Sequence, residues 1–209
     1  MIEFPESTKV GRRLPKEAFY KHLPLTPSLK KKFVSDVETI FVENSLTAKN
    51  LNLSQETEIK EILLLSIILK KQEFDTKIVE AIAKQNPHPL IFRLAYGEDV
   101  QLAIYHHKLY RGEWNREENM NLVLDGNLTD IWENLIRQIA VRSENMHPQR
   151  TQSLDEQLKT QADIERLKKL IQRTATAAWK EIQPKKRFEL YTELQKYKKK
   201  LEEITHGQA

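Results

Sequence analysis

The chain has 209 residues, 39% of them apolar and 31% charged, with a net charge of +4 and no cysteine. That length holds one or two domains, and so high a charged fraction fits a chain of which part is long exposed helix. Without cysteine there is no disulfide, no thiolate nucleophile and no Cys-ligated zinc site, which suits a reducing compartment.

Residues 1–13 hold Pro5, Gly11 and the cations Lys9, Arg12 and Arg13, and read as irregular. No apolar stretch of signal-peptide type opens the chain, so a cytoplasmic protein is expected. A short helix is predicted from Leu14-Pro15 to about Leu23, with Pro15 at the first helical position, where its missing N–H costs nothing. Lys16 extends the basic group, and Phe19 and Tyr20 are core anchors. Thr26 caps a second helix, Pro27 to about Glu43, whose stripe is Leu29, Phe33, Val37, Ile40 and Phe41. Lys30, Lys31 and Lys32 at its start oppose the macrodipole. A polar connection follows over 44–57.

The most apolar stretch is Glu58–Lys71, EIKEILLLSIILKK. Ile62, Leu63, Leu64, Leu65, Ile67, Ile68 and Leu69 fill all but one position of 62–69, and neither strict alternation nor a helical stripe fits them. A short continuous apolar run reads as a strand buried on both faces, with a buried helix as the alternative. It is too short to span a membrane, which takes roughly 20 apolar residues.

Glu73–Lys84 reads as a helix with Phe74, Ile78, Val79 and Ile82 on one side, closed by Pro87. Pro89–Tyr96 and Val100–Lys108 read as a hairpin around Gly97-Glu98-Asp99. A two-residue turn at Gly97-Glu98 would pair Tyr96 with Asp99. A three-residue loop would pair Tyr96 with Val100, Leu94 with Leu102 and Phe92 with Ile104, gathering the large apolar residues on one face, and is the expected register. Tyr105–Trp114 continues the hairpin or forms its own strand, and Asn121–Leu124 adds a further strand. A helix over about 129–142 carries Trp132, Leu135, Ile136 and Ile139 on its stripe.

Residues 143–151 form a polar linker, and the remainder reads as a coiled-coil-like α-hairpin. Its first helix, Leu154–Ile182, has Ile164, Leu167, Ile171, Thr174 and Ala178 at three-four spacing, with Trp179 beside them. A break at Gln183-Pro184-Lys185-Lys186 precedes Phe188–Ile204. There Leu190, Leu194, Tyr197, Leu201 and Ile204 occupy heptad seam positions, the candidate partner-binding set. The charge is lopsided. Residues 1–150 carry 21 Lys and Arg against 21 Asp and Glu, and residues 151–209 carry 13 against 9.

Gly-rich phosphate loops and the nucleophile-elbow motif are missing from the sequence. His106 and His107 would face opposite sides of a strand and could not share a metal. No metal and no cofactor is therefore expected. The basic clusters Lys9/Arg12/Arg13/Lys16 and Lys185/Lys186/Arg187 are the candidate nucleic-acid contacts.

Pro5-Glu6-Ser7-Thr8-Lys9-Val10, followed by Arg13-Leu14-Pro15-Lys16-Glu17-Ala18-Phe19-Tyr20, resembles the opening of an uncharacterised bacterial family, a domain of unknown function. The block 58–108, the segment Trp132–Ile139 and the charged helical tail are similar to it as well. The departure is Gly112, within a stretch the resemblance makes a regular strand. Members are often encoded beside helicase and DNA methyltransferase genes in restriction-modification-like phage defence clusters, and no catalytic residues carry over.

The sequence thus predicts an α+β core over 1–142, with a three- to four-stranded, mostly antiparallel sheet flanked by helices, a linker over 143–151 and a helical hairpin over 152–209. The expected function is a non-enzymatic accessory or adaptor subunit of a bacterial DNA-processing or phage-defence complex. Its expected partner is a helicase or DNA methyltransferase of the same system, with DNA or RNA as a further contact and no membrane. The alternatives are a divergent nuclease or other enzyme without a recognisable motif, for which Glu58, Glu61 and Asp99 are the acids to test, and a self-associating structural protein whose tail pairs with its own copy.

Overall fold

In the computed structural model, which describes residues 4–54, 57–114, 126–141 and 153–206, the apolar run lies in a strand, Glu61–Leu69. This strand, β3, is third in a six-stranded sheet whose spatial order follows the sequence. Its companions are β1 (Lys9–Leu14), β2 (Val37–Thr47), β4 (Leu90–Tyr96), β5 (Asp99–His106) and β6 (Lys108–Arg111). Neighbours pair antiparallel except β3 with β4, which run parallel and are joined through helix α3, Lys77–Gln85. The class is α+β, but the sheet is mixed and has six strands rather than three or four.

The strand reading of 62–69 holds because both faces of β3 are covered. Ile62, Leu64, Leu65, Ile67 and Leu69 are all buried, and burying each such side chain contributes about 1.5–3 kcal/mol. Ser66, the polar member of the run, is fully buried as well, and Arg93 on β4 donates to its hydroxyl at 3.4 Å. On the first face, Val37, Ile40, Val42, Leu65, Phe92 and Leu94 form one core with Phe33 of α2 (Pro27–Asp36) and with Ile78, Val79 and Ile82 of α3. Phe19 of α1 (Lys16–His22) joins that core, its ring 5.8 Å from that of Phe33. Against the second face lies α4, Leu128–Ala140, which touches β3, β5 and β6. Its predicted stripe of Trp132, Leu135, Ile136 and Ile139 is buried. Asn127 opens α4: its side-chain oxygen accepts from the backbone of Thr129 and Asp130, and Asp130 accepts from the backbone of Asn127 in return.

Two missing strands have physical causes. The predicted helix Pro27–Glu43 ends at Asp36, and the chain turns directly into β2, with Val37 already extended. β-branched Val37, Thr39, Ile40 and Val42 favour the pleated state, and pairing with β3 decides the matter. β1 is the exposed sheet edge, and its charged sequence carries no burial signal to read.

The hairpin register also differs from expectation. Tyr96 pairs with Asp99 and Leu94 with Gln101, the two-residue turn. Gly97, at φ +57°, supplies the positive φ that a type II′ turn needs first. Gathering the apolar side chains on one face confers no advantage where helices cover both. β6 forms separately from β5, and although it ends at Arg111, the Gly112 N–H still donates to Leu102 at 2.9 Å. The strand predicted at 121–124 and the linker over 143–151 lie outside the described residues.

By its contacts the chain divides into two compact units, Met1–Ala140 and Val141–Ala209. The second unit holds α5 (Leu154–Lys180) and α6 (Pro184–His206), packed on each other. Ser153 and Glu156 form a capping box at the start of α5. The break between the helices is shorter than predicted. Pro184 begins α6, so Lys185, Lys186 and Arg187 lie in its first turn rather than in a loop.

Candidate functional site

The four N-terminal cations occupy one edge of the sheet. Lys9, Arg12 and Arg13 are exposed on β1, beside a register shift at Gly11, whose φ is +61°. A charged, irregular edge of this kind resists pairing with another sheet. Lys9 reaches Glu6 at 3.6 Å. Lys16 turns inward, where its ammonium donates to the Val37 carbonyl at 2.6 Å. Burial holds the Lys16 pKa below the ordinary lysine value, and nearby Lys70 lowers it further against the opposing pull of Glu38 and Glu17. Arg13, Lys16, Glu17, Val34 and Glu38 help line an open groove of about 680 Å³. Its walls therefore carry both signs of charge.

The acids of the enzyme alternative do not converge. Glu61 opens β3 at the sheet end where β4 begins, while Asp99 opens β5 at the end where β4 finishes. A strand's length of about 20 Å separates those ends. Glu61 is engaged elsewhere. It accepts a hydrogen bond from Ser45, and its other oxygen lies 3.4 Å from His88 Nε2. Serine, glutamate and histidine thus meet with the carboxylate in the middle. Activating a serine needs the histidine in the middle, so this arrangement is a cross-strand tie. His106 and His107 do not sit on opposite faces of one strand. His107 occupies the turn between β5 and β6 at φ +60°, which brings the two rings within 4.2 Å. Among the described residues no three His, Asp or Glu side chains are placed to hold a metal ion.

The hairpin carries the other candidate residues. Leu194 is buried, and Leu190, Tyr197, Leu201 and Ile204 are half-buried along the side of α6 that meets α5. The Tyr197 hydroxyl donates to Glu193 at 2.7 Å, and that bond is the first cause of its raised pKa. Lys185, Lys186 and Arg187 are exposed at the turn. Of the apolar residues beside them, the sequence marks Trp179 as a neighbour of the α5 stripe and gives none a place in a site. Trp179 is 81% exposed, Ile182 89%, Phe188 73% and Tyr191 46%. The available signal is that Trp179 and Phe188 fall off the helical stripes, while Ile182 keeps the phase of Ile164 but lies past the end of α5 at Lys180. Phe188 sits about 200° round α6 from the seam residue Leu190, so burying the seam leaves Phe188 in water.

These elements define a mixed-sheet α+β unit followed by a helical hairpin with a basic, aromatic tip. The family model described as domain of unknown function, DUF4391, matches residues 2–201, and the chain belongs to that family. No curated protein and no solved structure matches the chain. Among the described residues, no helix is long and apolar enough to cross a membrane.

Proposed function

We propose that the protein is a non-enzymatic accessory or adaptor subunit of a bacterial DNA-processing or phage-defence complex of restriction-like kind. It docks through its helical hairpin on a helicase or DNA methyltransferase of the same system, in the cytoplasm, and touches nucleic acid through its basic clusters. The observation that supports docking is the half-open seam. Leu194 is buried while Leu190, Tyr197, Leu201 and Ile204 keep part of their surface in water, because one helix cannot close a heptad seam on all sides. A partner helix laid along α6 would cover that remainder. The resemblance to a family encoded beside helicase and methyltransferase genes supplies the setting.

A pull-down of the tagged full-length chain from its host, with and without nuclease treatment, tests this reading. A helicase or methyltransferase retained after digestion supports it. Partners lost on digestion would make nucleic acid the bridge, and a preparation without partners would overturn the adaptor.

A further inference from the structure

Four of the seven large apolar side chains that stand exposed among the described residues crowd into the hairpin turn, over Trp179–Tyr191. The cations Lys180, Lys185, Lys186 and Arg187 are interleaved with them and are likewise exposed. Neither group serves the hairpin itself. Exposed rings add nothing to the packing of α5 on α6, and three cations in the first turn of α6, where no acid offsets them, oppose the helix macrodipole. Lys185, Phe188 and Tyr191 are spaced by three, so two rings and a cation share one outward stripe of α6. Trp179 stands one residue before the end of α5, on the other side of the turn.

We infer that the hairpin tip is a binding platform for single-stranded nucleic acid. Bases stack on Trp179 and Phe188, and the backbone phosphates lie against Lys180, Lys185, Lys186 and Arg187. This rests on the nucleic-acid part of the proposed function and names its ligand class. Exposed aromatic rings interleaved with cations are the chemistry by which single strands are held without sequence preference, since every base has a face to stack and every nucleotide a charge to neutralise. The composition argues against a protein occupant, because protein interfaces are depleted in lysine and the tip holds three. It argues against a bilayer as well: a surface-bound helix presents one continuous apolar face, and the apolar stripe of α6 is turned to α5.

Fluorescence anisotropy of the full-length protein with labelled dT20, rU20 and a 20-base-pair duplex is the test. A single strand should bind more tightly than the duplex and quench the emission of exposed Trp179. Trp179→Ala and Phe188→Ala should each weaken binding about five- to hundredfold, with helicity unchanged because both side chains are in water. Trp179→Phe should retain most of the affinity but lose the quench. Removing Lys185, Lys186 and Arg187 together should lower the slope of log affinity against log salt by about 2.

Absence of binding to either single strand overturns the inference, as does equal affinity of the two ring variants and the parent. So does capture of an acidic peptide or of anionic phosphatidylserine vesicles in preference to dT20. The adaptor reading is separable: a partner retained after nuclease treatment by a protein that ignores dT20 would sink the platform and leave the adaptor standing.

Discussion

Lys71 Nζ lies 2.7 Å from Asp36 Oδ1, and this ion pair closes the junction at which α2 becomes β2. The Asp36 carboxylate is fully buried and also accepts from the Ser35 hydroxyl at 2.5 Å and from the Asp75 backbone at 3.0 Å. Its own carbonyl accepts from Lys70 at 2.8 Å. One residue thereby pins the loop after β3 to the end of α2, and every partner after Ser35 comes from the far side of β3.

Asp36 sets a pH-dependent share of stability. Burial raises its pKa, but the bonds from Lys71, Ser35 and the Asp75 N–H outweigh burial and hold it below the ordinary carboxylate value. The folded state thus binds this proton less readily than the unfolded chain. Its contribution is complete above the unfolded pKa of about 4 and is lost as pH falls through the depressed folded value. Asp36→Asn should cost about 1–3 kcal/mol at pH 7 by urea denaturation, toward the lower end because Lys71 is 44% exposed. The gap from the parent should narrow in acid. A gap that stays constant down to pH 2 would contradict the assignment.

The turn at Gly97 should distinguish backbone strain from crowding. A Cβ there meets nothing within 4 Å, yet φ is +57°. Gly97→Ala should therefore cost about 1–2 kcal/mol through the backbone alone, and Gly97→Asn less. Gly112→Ala is the control: no positive φ is found there, the nearest atom is Leu102 O at 3.6 Å, and the change should stay within about 0.5 kcal/mol.

The second face of the sheet depends on α4. Ile136 is fully buried, and Ile136→Ala should cost about 2–5 kcal/mol, read as a lower denaturation midpoint at unchanged slope. A loss under 1 kcal/mol would mean that α4 is not fixed on the sheet.

The seam of α6 can be tested without touching the tip. Replacing Leu194 and Leu201 by Lys places two charges against α5 and should reduce the helical circular dichroism. Partner capture should fall with it. Full capture by this double variant would show that the seam is dispensable and would return the adaptor proposal to another surface.

How much of this was legible depended on where the deciding contact lay. The helices α4, α5 and α6 are readable because their burial repeats within the helix itself, as Trp132, Leu135, Ile136 and Ile139 show. β3 is readable because a run buried on both faces needs no period. β2 is not, since Phe33, Val37 and Ile40 keep a helical spacing across the switch at Asp36, and the tie to Lys71 that marks the switch is remote in sequence. β1 is an exposed edge with no apolar pattern. Of the candidate site, the cations at the hairpin turn were visible as a charge cluster. The rings beside them carry no such marker in residue type, and their exposure is read only by following helix phase, which sets Trp179 beside the α5 stripe and Phe188 about 200° from Leu190.

The parallel pairing of β3 with β4 has a consequence for synthesis. β2 leaves the ribosome before β3 and can cover one edge of it at once. The other edge must wait until α3 and all of β4 have been made, for it pairs from Leu63 to Ile68 with Leu90 to Ala95. In that interval the most apolar and most readily aggregating segment of the chain has one side unpaired. Its guards are Glu58, Lys60 and Glu61 before the run and Lys70 and Lys71 after it, which makes the nascent chain most vulnerable to substitutions that neutralise them.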